Sequence, residues 1–248
     1  MDVALITVGD ELLAGDTVNT NANWLAGQLT DRGVTVGRIL SVPDDRETIA
    51  GKVAGYSEAF DAVIVTGGIG GTPDDVTMEA VADAFAREMV VSEETLEAVE
   101  RTLEAYRESR PELELDLDTE AEASVPAGSR PLSNEAGLAP GCVVENVYVL
   151  PGIPGELKAM FESVSGEFSG ENVSEFLYTV EPEANIAQAL DTVQQQFDVA
   201  VGCYPDRDAG HNRLKMTATD RDRLDDAVAW LLDRINASES PVSRDWDD

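Results

Sequence analysis

Apolar residues along this chain fall into two alternating patterns. Residues 3–8 (V-A-L-I-T-V) and 62–65 (A-V-I-V) are unbroken apolar runs, the signature of strands buried on both faces. Between and after them the apolar positions take helical spacing. Trp24, Leu25 and Leu29 share one stripe; Ile49, Val53, Tyr56 and Phe60 form a second, and Val76, Ala80, Val81, Ala84 and Phe85 a third. The punctuation agrees: Asn19, Thr20 and Asn21 offer caps for the first helix, which Gly33 stops, and Asp45 offers one for the second. Residues 34–42 alternate apolar with small or polar side chains and read as a strand between the first two helices. Three successive β-α units predict a mostly parallel sheet with right-handed crossovers. In such sheets ligands bind beyond the carboxyl ends of the strands. That rule gathers the 9–15 loop, residues 43–45 and the 66–75 loop at one edge.

Further along, residues 89–91 predict a short strand, and Ser92 caps a helix over 93–108. Residues 111–122 are acidic and weakly patterned, compatible with a helix or a loop. A turn at 126–129 leads to a hairpin, 141–144 and 147–150, and a rigid P-G-I-P-G turn at 151–155 precedes a helix over 156–168. After a linker at 169–172 the order changes to strand, helix, strand, strand, helix (175–180, 186–197, 199–204, 213–219, 224–235). This predicts a small α+β domain with antiparallel pairing. The expected division is a large α/β domain over 1–170, the small domain over 174–236, and a frayed polar tail over 237–248.

Composition narrows the class. A hydrophobic content of 43% supports a real core, and the formal charge is −32, from 17 Lys and Arg against 49 Asp and Glu. Such a surface disfavours nucleic acid and anionic membrane as partners. The acids cover every helix face, and Lys52, Lys158 and Lys215 are the only lysines. A cytoplasm rich in salt, where the Debye length falls to about 3 Å at 1 M, explains this charge better than an acidic partner-binding role. No run approaches the roughly 20 apolar residues of a membrane span, and no signal peptide is recognisable, so a cytoplasmic location is expected. Cys142 and Cys203 lie far apart with no metal-binding spacing. No G-x-S-x-G occurs, and neither cysteine has a nearby histidine; His211, the only one, reads as part of a surface turn in the small domain.

The strongest chemical signal is T-G-G-I-G-G-T-P-D-D at 66–75, between a buried strand and a helix. Glycines admit a close backbone approach, and a helix N-terminus presents free N–H groups to an anion. The acids at its exit suggest phosphate handled together with a metal ion or a proton transfer. Thr72, Asp74 and Asp75 lie just upstream of or at the helix start, where cap residues are favoured. No lysine follows the glycines, so the loop is neither a Walker loop nor a dinucleotide fingerprint. Asp10 and Glu11 suit a metal, a ribose hydroxyl or plain solvation. Asn19 and Asn21 suit caps first and ligand contacts second. The 151–155 turn suits a structural corner or a wall for a flat ligand.

Three ordered segments carry a family resemblance: V-G-D-E-L-L-A-G-D-T-V-N-T-N-A at 8–22, T-G-G-I-G-G-T-P-D-D-V-T at 66–77 and L-P-G-I-P-G-E-L-K-A-M-F at 150–161. Together they resemble the CinA-type branch of the MoaB/Mog molybdopterin-binding family over about residues 1–170, and the following domain is similar to the small one of CinA-type proteins. The resemblance implies a three-layer α/β/α fold, a homo-oligomer, and a nucleotide or pterin whose phosphates lie on the T-G-G loop. It implies substrate contacts from Asp10, Glu11, Asn19, Asn21, Thr66, Gly67, Gly68, Gly70, Gly71, Thr72, Pro151, Gly152 and Pro154. Asp44 and Asp75 match the acids that act at the site in Mog-like members. For the CinA branch it implies hydrolysis of the ADP-ribose pyrophosphate with a divalent ion such as Mg²⁺, Mn²⁺ or Co²⁺. Adenylyl transfer to molybdopterin and binding without turnover are the alternatives. Gly71 stands where proline is usual, Ile153 where a second consecutive proline is usual, and 112–122 lacks the usual basic and amide residues. The deamidase domain of longer CinA proteins is not in the sequence, so deamidation of nicotinamide mononucleotide is not expected.

Overall fold

The computed structural model describes residues 1–109 and 117–243. They form two compact units, Met1–Ser169 and Gly170–Asp248. In the first, strands β1 (Asp2–Val8), β2 (Thr35–Val42), β3 (Ala62–Thr66), β6 (Arg130–Leu132), β7 (Gly141–Val144) and β8 (Val147–Leu150) make one sheet. Its order is β2-β1-β3-β8-β7-β6. The pairs β1/β2, β1/β3 and β3/β8 are parallel, and β7 and β6 extend the sheet antiparallel. β4 (Met89–Val91) and β5 (Ser124–Pro126) pair separately.

The unbroken apolar runs sit at the centre because both faces are covered. Ala4, Ile6, Val8, Val63 and Val65 point to one layer with Ile49, Val53 and Val81. Val3, Leu5, Ala62 and Ile64 point to the other with Leu25, Leu29, Leu157 and Phe161. Alternate side chains of one strand therefore feed two cores, as the two-residue period of a strand requires. The covering helices are α3 (Arg46–Ala59) and α4 (Thr77–Ala84) on the first face, α2 (Thr20–Asp31) and α7 (Pro154–Val164) on the second. Trp24 of α2 meets Phe161 of α7 edge-on, with ring centroids 5.5 Å apart. The fold is the three-layer, mostly parallel architecture that the resemblance implied.

Several local readings change. Residues 10–14 form a short helix, α1 (Asp10–Ala14), with Gly15 closing it in the left-handed region. The 141–150 hairpin is an extension of the main sheet, because β8 is buried along its length and pairs with β3. The 126–129 turn lies between β5 and β6. Within 111–122, residues 117–122 carry the short helix α6 (Thr119–Glu122); 110–116 lie outside the described residues. Helix α5 (Glu93–Ser109) precedes this stretch.

The second unit is an antiparallel sheet, β10-β11-β9-β12, built from β9 (Val173–Thr179), β10 (Ala200–Asp206), β11 (His211–Ala218) and β12 (Ala237–Ser238). Its core joins Leu177, Leu214 and Met216 to Ile186, Val193, Leu224 and Leu231 from α8 (Glu183–Phe197) and α9 (Arg221–Leu232). Two expectations are corrected here. His211 is a buried strand residue with Nδ1 2.6 Å from the Val242 carbonyl oxygen. Residues 237–238 pair with β9 instead of fraying, while 244–248 lie outside the described residues.

Candidate functional site

The carboxyl ends of β1, β2, β3 and β8 meet at one edge, and chain order reverses there: β2 flanks β1 on one side and β3 on the other. The segments following β1 and β3 therefore face one crevice, the usual ligand position in such sheets. The 66–75 loop is pinned at its root. The Thr66 hydroxyl, buried, donates to the Pro151 carbonyl at 2.7 Å, and the Gly67 N–H donates to Leu150 O at 3.2 Å. Gly67 has φ +102°, and a methyl there would overlap the Val8 carbonyl oxygen, so only glycine fits between the ends of β1 and β8. The Asn21 amide donates to Gly152 O at 2.6 Å, tying α2 to the 151–155 turn.

Two cavities flank this loop. The first, of about 170 Å³, is lined by Gly68, Gly70, Gly71, Thr72 and Asp75, with Glu79, Glu122, Met78, Met89 and Pro140 among the opposing walls. The second, of about 100 Å³, is lined by Thr66, Gly67, Glu11, Asn19 and Asn21, closed by Gly152 and Pro154. Asp10, Asp44 and Pro151 line neither. Instead, Asp44 Oδ2 accepts the Asp10 N–H at 2.8 Å, holding the start of α1, while its Oδ1 faces Gly68. Pro151 supplies the carbonyl that Thr66 binds.

The acids after the glycines behave differently from a capping pair. Helix α4 begins at Thr77, and its N-cap, Val76, makes no side-chain bond, so Asp74 does not cap it. Asp75 Oδ2 accepts the Thr72 N–H at 3.0 Å and the Thr72 hydroxyl, folding the loop exit onto itself. The Thr72 hydroxyl, whose one proton can go to either acid, and the Asp74 N–H hold the Asp74 carboxyl below its ordinary range. Asp45 does cap α3, accepting the Thr48 N–H at 2.9 Å. Asn19 is fully used as a brace: Oδ1 caps α2 by accepting the Ala22 N–H, and Nδ2 donates to Thr7 Oγ1 at 2.9 Å and to Ser41 Oγ. Glu11 folds its carboxylate back against Gly9.

Two residues absent from the sequence reading enter the site. Glu122, at the end of α6, lays its carboxylate over Gly71. Burial pushes that carboxyl above its ordinary range, and the Asp75 charge adds to the effect. Its only sequence signal was an acid just before the V-P-x-G turn, in a stretch without periodicity. Thr77 is the other: it is 0% exposed, and its hydroxyl has no hydrogen-bond partner. A buried unpaired hydroxyl costs about 1–3 kcal/mol. Cysteine chemistry has no support, since burial pushes the Cys142 thiol up to about 12 and also raises that of Cys203. Among the described residues, no helix is long and apolar enough to cross a membrane.

Comparison with known proteins follows the two units. Residues 4–168 match the family described as "Probable molybdopterin binding domain", and residues 171–241 match "FAD synthase, middle domain". A protein of Archaeoglobus fulgidus is 37% identical over 241 residues, covering 95% of this chain and 99% of its own. A CinA-like protein of Citrifermentans bemidjiense is 36% identical over 249 residues; the match takes in 96% of this chain and 59% of that one. The solved structure of CinA, a protein of unknown function from Thermoplasma acidophilum, is similar at 32% identity and a TM-score of 0.61, over 68% of this chain and 99% of that one. The motifs, the fold and these matches agree: the chain belongs to the molybdopterin-binding domain family, as a CinA-type member.

Proposed function

We propose that the chain binds a nucleotide or pterin through its phosphates and hydrolyses the pyrophosphate of ADP-ribose with a divalent cation, giving AMP and ribose 5-phosphate. The observation that supports this reading is the pair of cavities on either side of one glycine loop. A ligand with two bulky ends joined by a diphosphate would straddle such a loop, each end in its own cavity and the phosphates on the backbone between. The second cavity suits a flat ring, with Pro154 and Gly152 as a fixed wall and Asn21 beside it. The first brings Asp75 and Glu122 to the other end of the bridge.

In this reading the 67–71 N–H groups bind phosphate oxygens, and Thr72 keeps Asp75 oriented. Asp44 holds α1 in place through the Asp10 N–H, which acts on the site's shape. Asp75 and Glu122 fit a divalent ion: Mg²⁺ commonly takes one or two carboxylates and completes its shell with substrate phosphates and water. Such an ion, when bound, neutralises charge that develops on the bridging oxygen. Water attacks one phosphorus, the bond from phosphorus to the bridging oxygen breaks, and the proton from water leaves through the carboxylate pair. The chain's large acidic excess and its family fit a homo-oligomer working in a salt-rich cytoplasm, which light scattering in molar KCl would test.

The deciding assay incubates the protein with ADP-ribose and Mg²⁺, Mn²⁺ or Co²⁺ in high salt and measures AMP. Release that disappears in Asp75→Asn supports hydrolysis. No AMP above that variant's level refutes it; turnover of ATP with molybdopterin would then point to adenylyl transfer.

A further inference from the structure

The sheet of the second unit has a face turned away from its own core. Side chains alternate along a strand, and Leu177, Cys203, Leu214 and Met216 pack into the core with α8 and α9. Phe176 and Tyr178 of β9, Gly202 and Tyr204 of β10, and Arg213 and Lys215 of β11 therefore share the opposite face. Cross-strand pairing sets Arg213 between Tyr204 and Tyr178, and Lys215 between Gly202 and Phe176. The chain holds 49 Asp and Glu, yet the only acid at an outward position of β9, β10 and β11 is Asp206, at the hairpin tip. Its Oδ1 accepts the Ala209 N–H at 2.9 Å.

The Arg213 and Lys215 cations lie 5.4 and 5.9 Å from the centre of the Phe176 ring. The Tyr204 ring lies over Gly202. A methyl at 202 would fall 2.4 Å from the Tyr204 hydroxyl and 2.7 Å from two ring carbons, so the glycine lets the ring rest on the sheet. Tyr204 is still 50% exposed, which leaves ring surface open to a flat group. Beside it is a cavity of about 360 Å³, lined by Tyr204, Arg207 and Arg213, with Asp206 and Asp208 of the hairpin. Arg221, Arg223 and Arg234, the other described arginines of this unit, each pair with an acid. Arg207 and Arg213 have no acid partner among the described residues. In a chain of charge −32, two such guanidinium groups beside a flat ring match a ligand with one planar and one anionic end.

We propose that the second unit carries a binding site of its own for a nucleoside phosphate, with the base stacked on Tyr204 and the phosphate on Arg213 and Arg207. Stacking accepts any base, because every base has a π-face. The planar fork of arginine suits phosphate oxygens. The acidic surface around the face repels a long polyanion, which favours a free nucleotide over a nucleic acid strand. This site stands apart from the 66–75 loop and does not depend on the reading given for it.

Equilibrium dialysis of the full chain against ADP and against adenosine, in molar KCl with EDTA, tests it. The salt screens long-range repulsion and leaves contact pairs, and EDTA silences metal-dependent turnover. Arg213→Gln should weaken one ADP site per chain at least tenfold while changing adenosine less than threefold. Tyr204→Leu should weaken ADP and adenosine alike, at least tenfold. Gly202→Val should match it by lifting the ring; valine suits an edge strand, so this variant carries the comparison if Tyr204→Leu folds poorly. Arg223→Gln removes equal charge from α9, across the sheet, and should stay within about threefold. ADP affinity and site number unchanged in both Arg213→Gln and Gly202→Val overturn the proposal. So does an equal loss in Arg223→Gln, or a single-stranded oligoadenylate that binds this face more tightly than ADP. If ADP-ribose yields no AMP while these shifts hold, the hydrolase reading falls and this site stands.

Discussion

Substituting Gly67 with alanine tests whether the 66–75 loop is shaped by steric necessity. The proper control is Gly15→Ala. Gly15 has φ +79° with no atom near the new methyl, so that variant isolates the left-handed backbone penalty of about 1–2 kcal/mol. Gly67, at φ +102°, carries the same penalty plus an overlap with the Val8 carbonyl oxygen. Val8 belongs to β1, which is bonded to β2 on one side and β3 on the other, and cannot retreat. The loop must lift instead, which breaks the bond from the Gly67 N–H to Leu150 O, worth about 1 kcal/mol. The expected loss is about 3 kcal/mol for Gly67→Ala against about 1.5 for Gly15→Ala. Urea titration in high salt, followed by tryptophan fluorescence in a Trp230→Phe, Trp246→Phe background where Trp24 beside Phe161 is the remaining tryptophan, reads the first unit separately from the second. Equal midpoints for the two variants at equal slopes would refute the steric argument.

Other sites give further expectations. Asn146→Ala removes amide bonds to the Ser57 and Phe60 carbonyls, both 3.0 Å, and the acceptor for Ser57 Oγ. It should cost about 2–3 kcal/mol in the same titration, well beyond Ser57→Ala. Gly55→Ala, in mid-α3 with nothing near the new methyl, should raise stability by about 0.5–1 kcal/mol. For Glu122 the carboxyl is raised on folding, so its favourable contribution holds at low pH and is lost as pH rises through the raised value. With EDTA present, Glu122→Gln should therefore flatten the midpoint-against-pH curve from the ordinary carboxylate range toward neutrality, and sit slightly above wild type at pH 7.

Much of the framework was legible because it rests on long, repetitive signals. The runs 3–8 and 62–65 announced strands buried on both faces, and the order strand, glycine loop, helix put the 66–75 loop at the crevice. What escaped was short or non-local. Residues 10–14 form a helix too brief for a period, and β5 and β6 have three residues each. The 147–150 strand is half of the expected hairpin, but nothing in it reveals its second partner, β3, about eighty residues upstream. Glu122 was invisible for the same reason: its meaning lies in Gly71, and only folding brings them together. His211 misled because Asp-Ala-Gly before it is turn-like, while the strand that buries it is defined by its pairing with β10.

The clamps at the root of the loop have a kinetic consequence. Thr66 reaches Pro151 across 85 residues, and Asn21 reaches Gly152 across 131. The crevice therefore draws on the beginning, middle and end of the first unit and cannot exist in any fragment of it. Such distant closures form late and slow a chain's folding. A molecule held in this crevice would recognise only chains that have finished, so the ligand would act as a proofreader of assembly as well as an occupant.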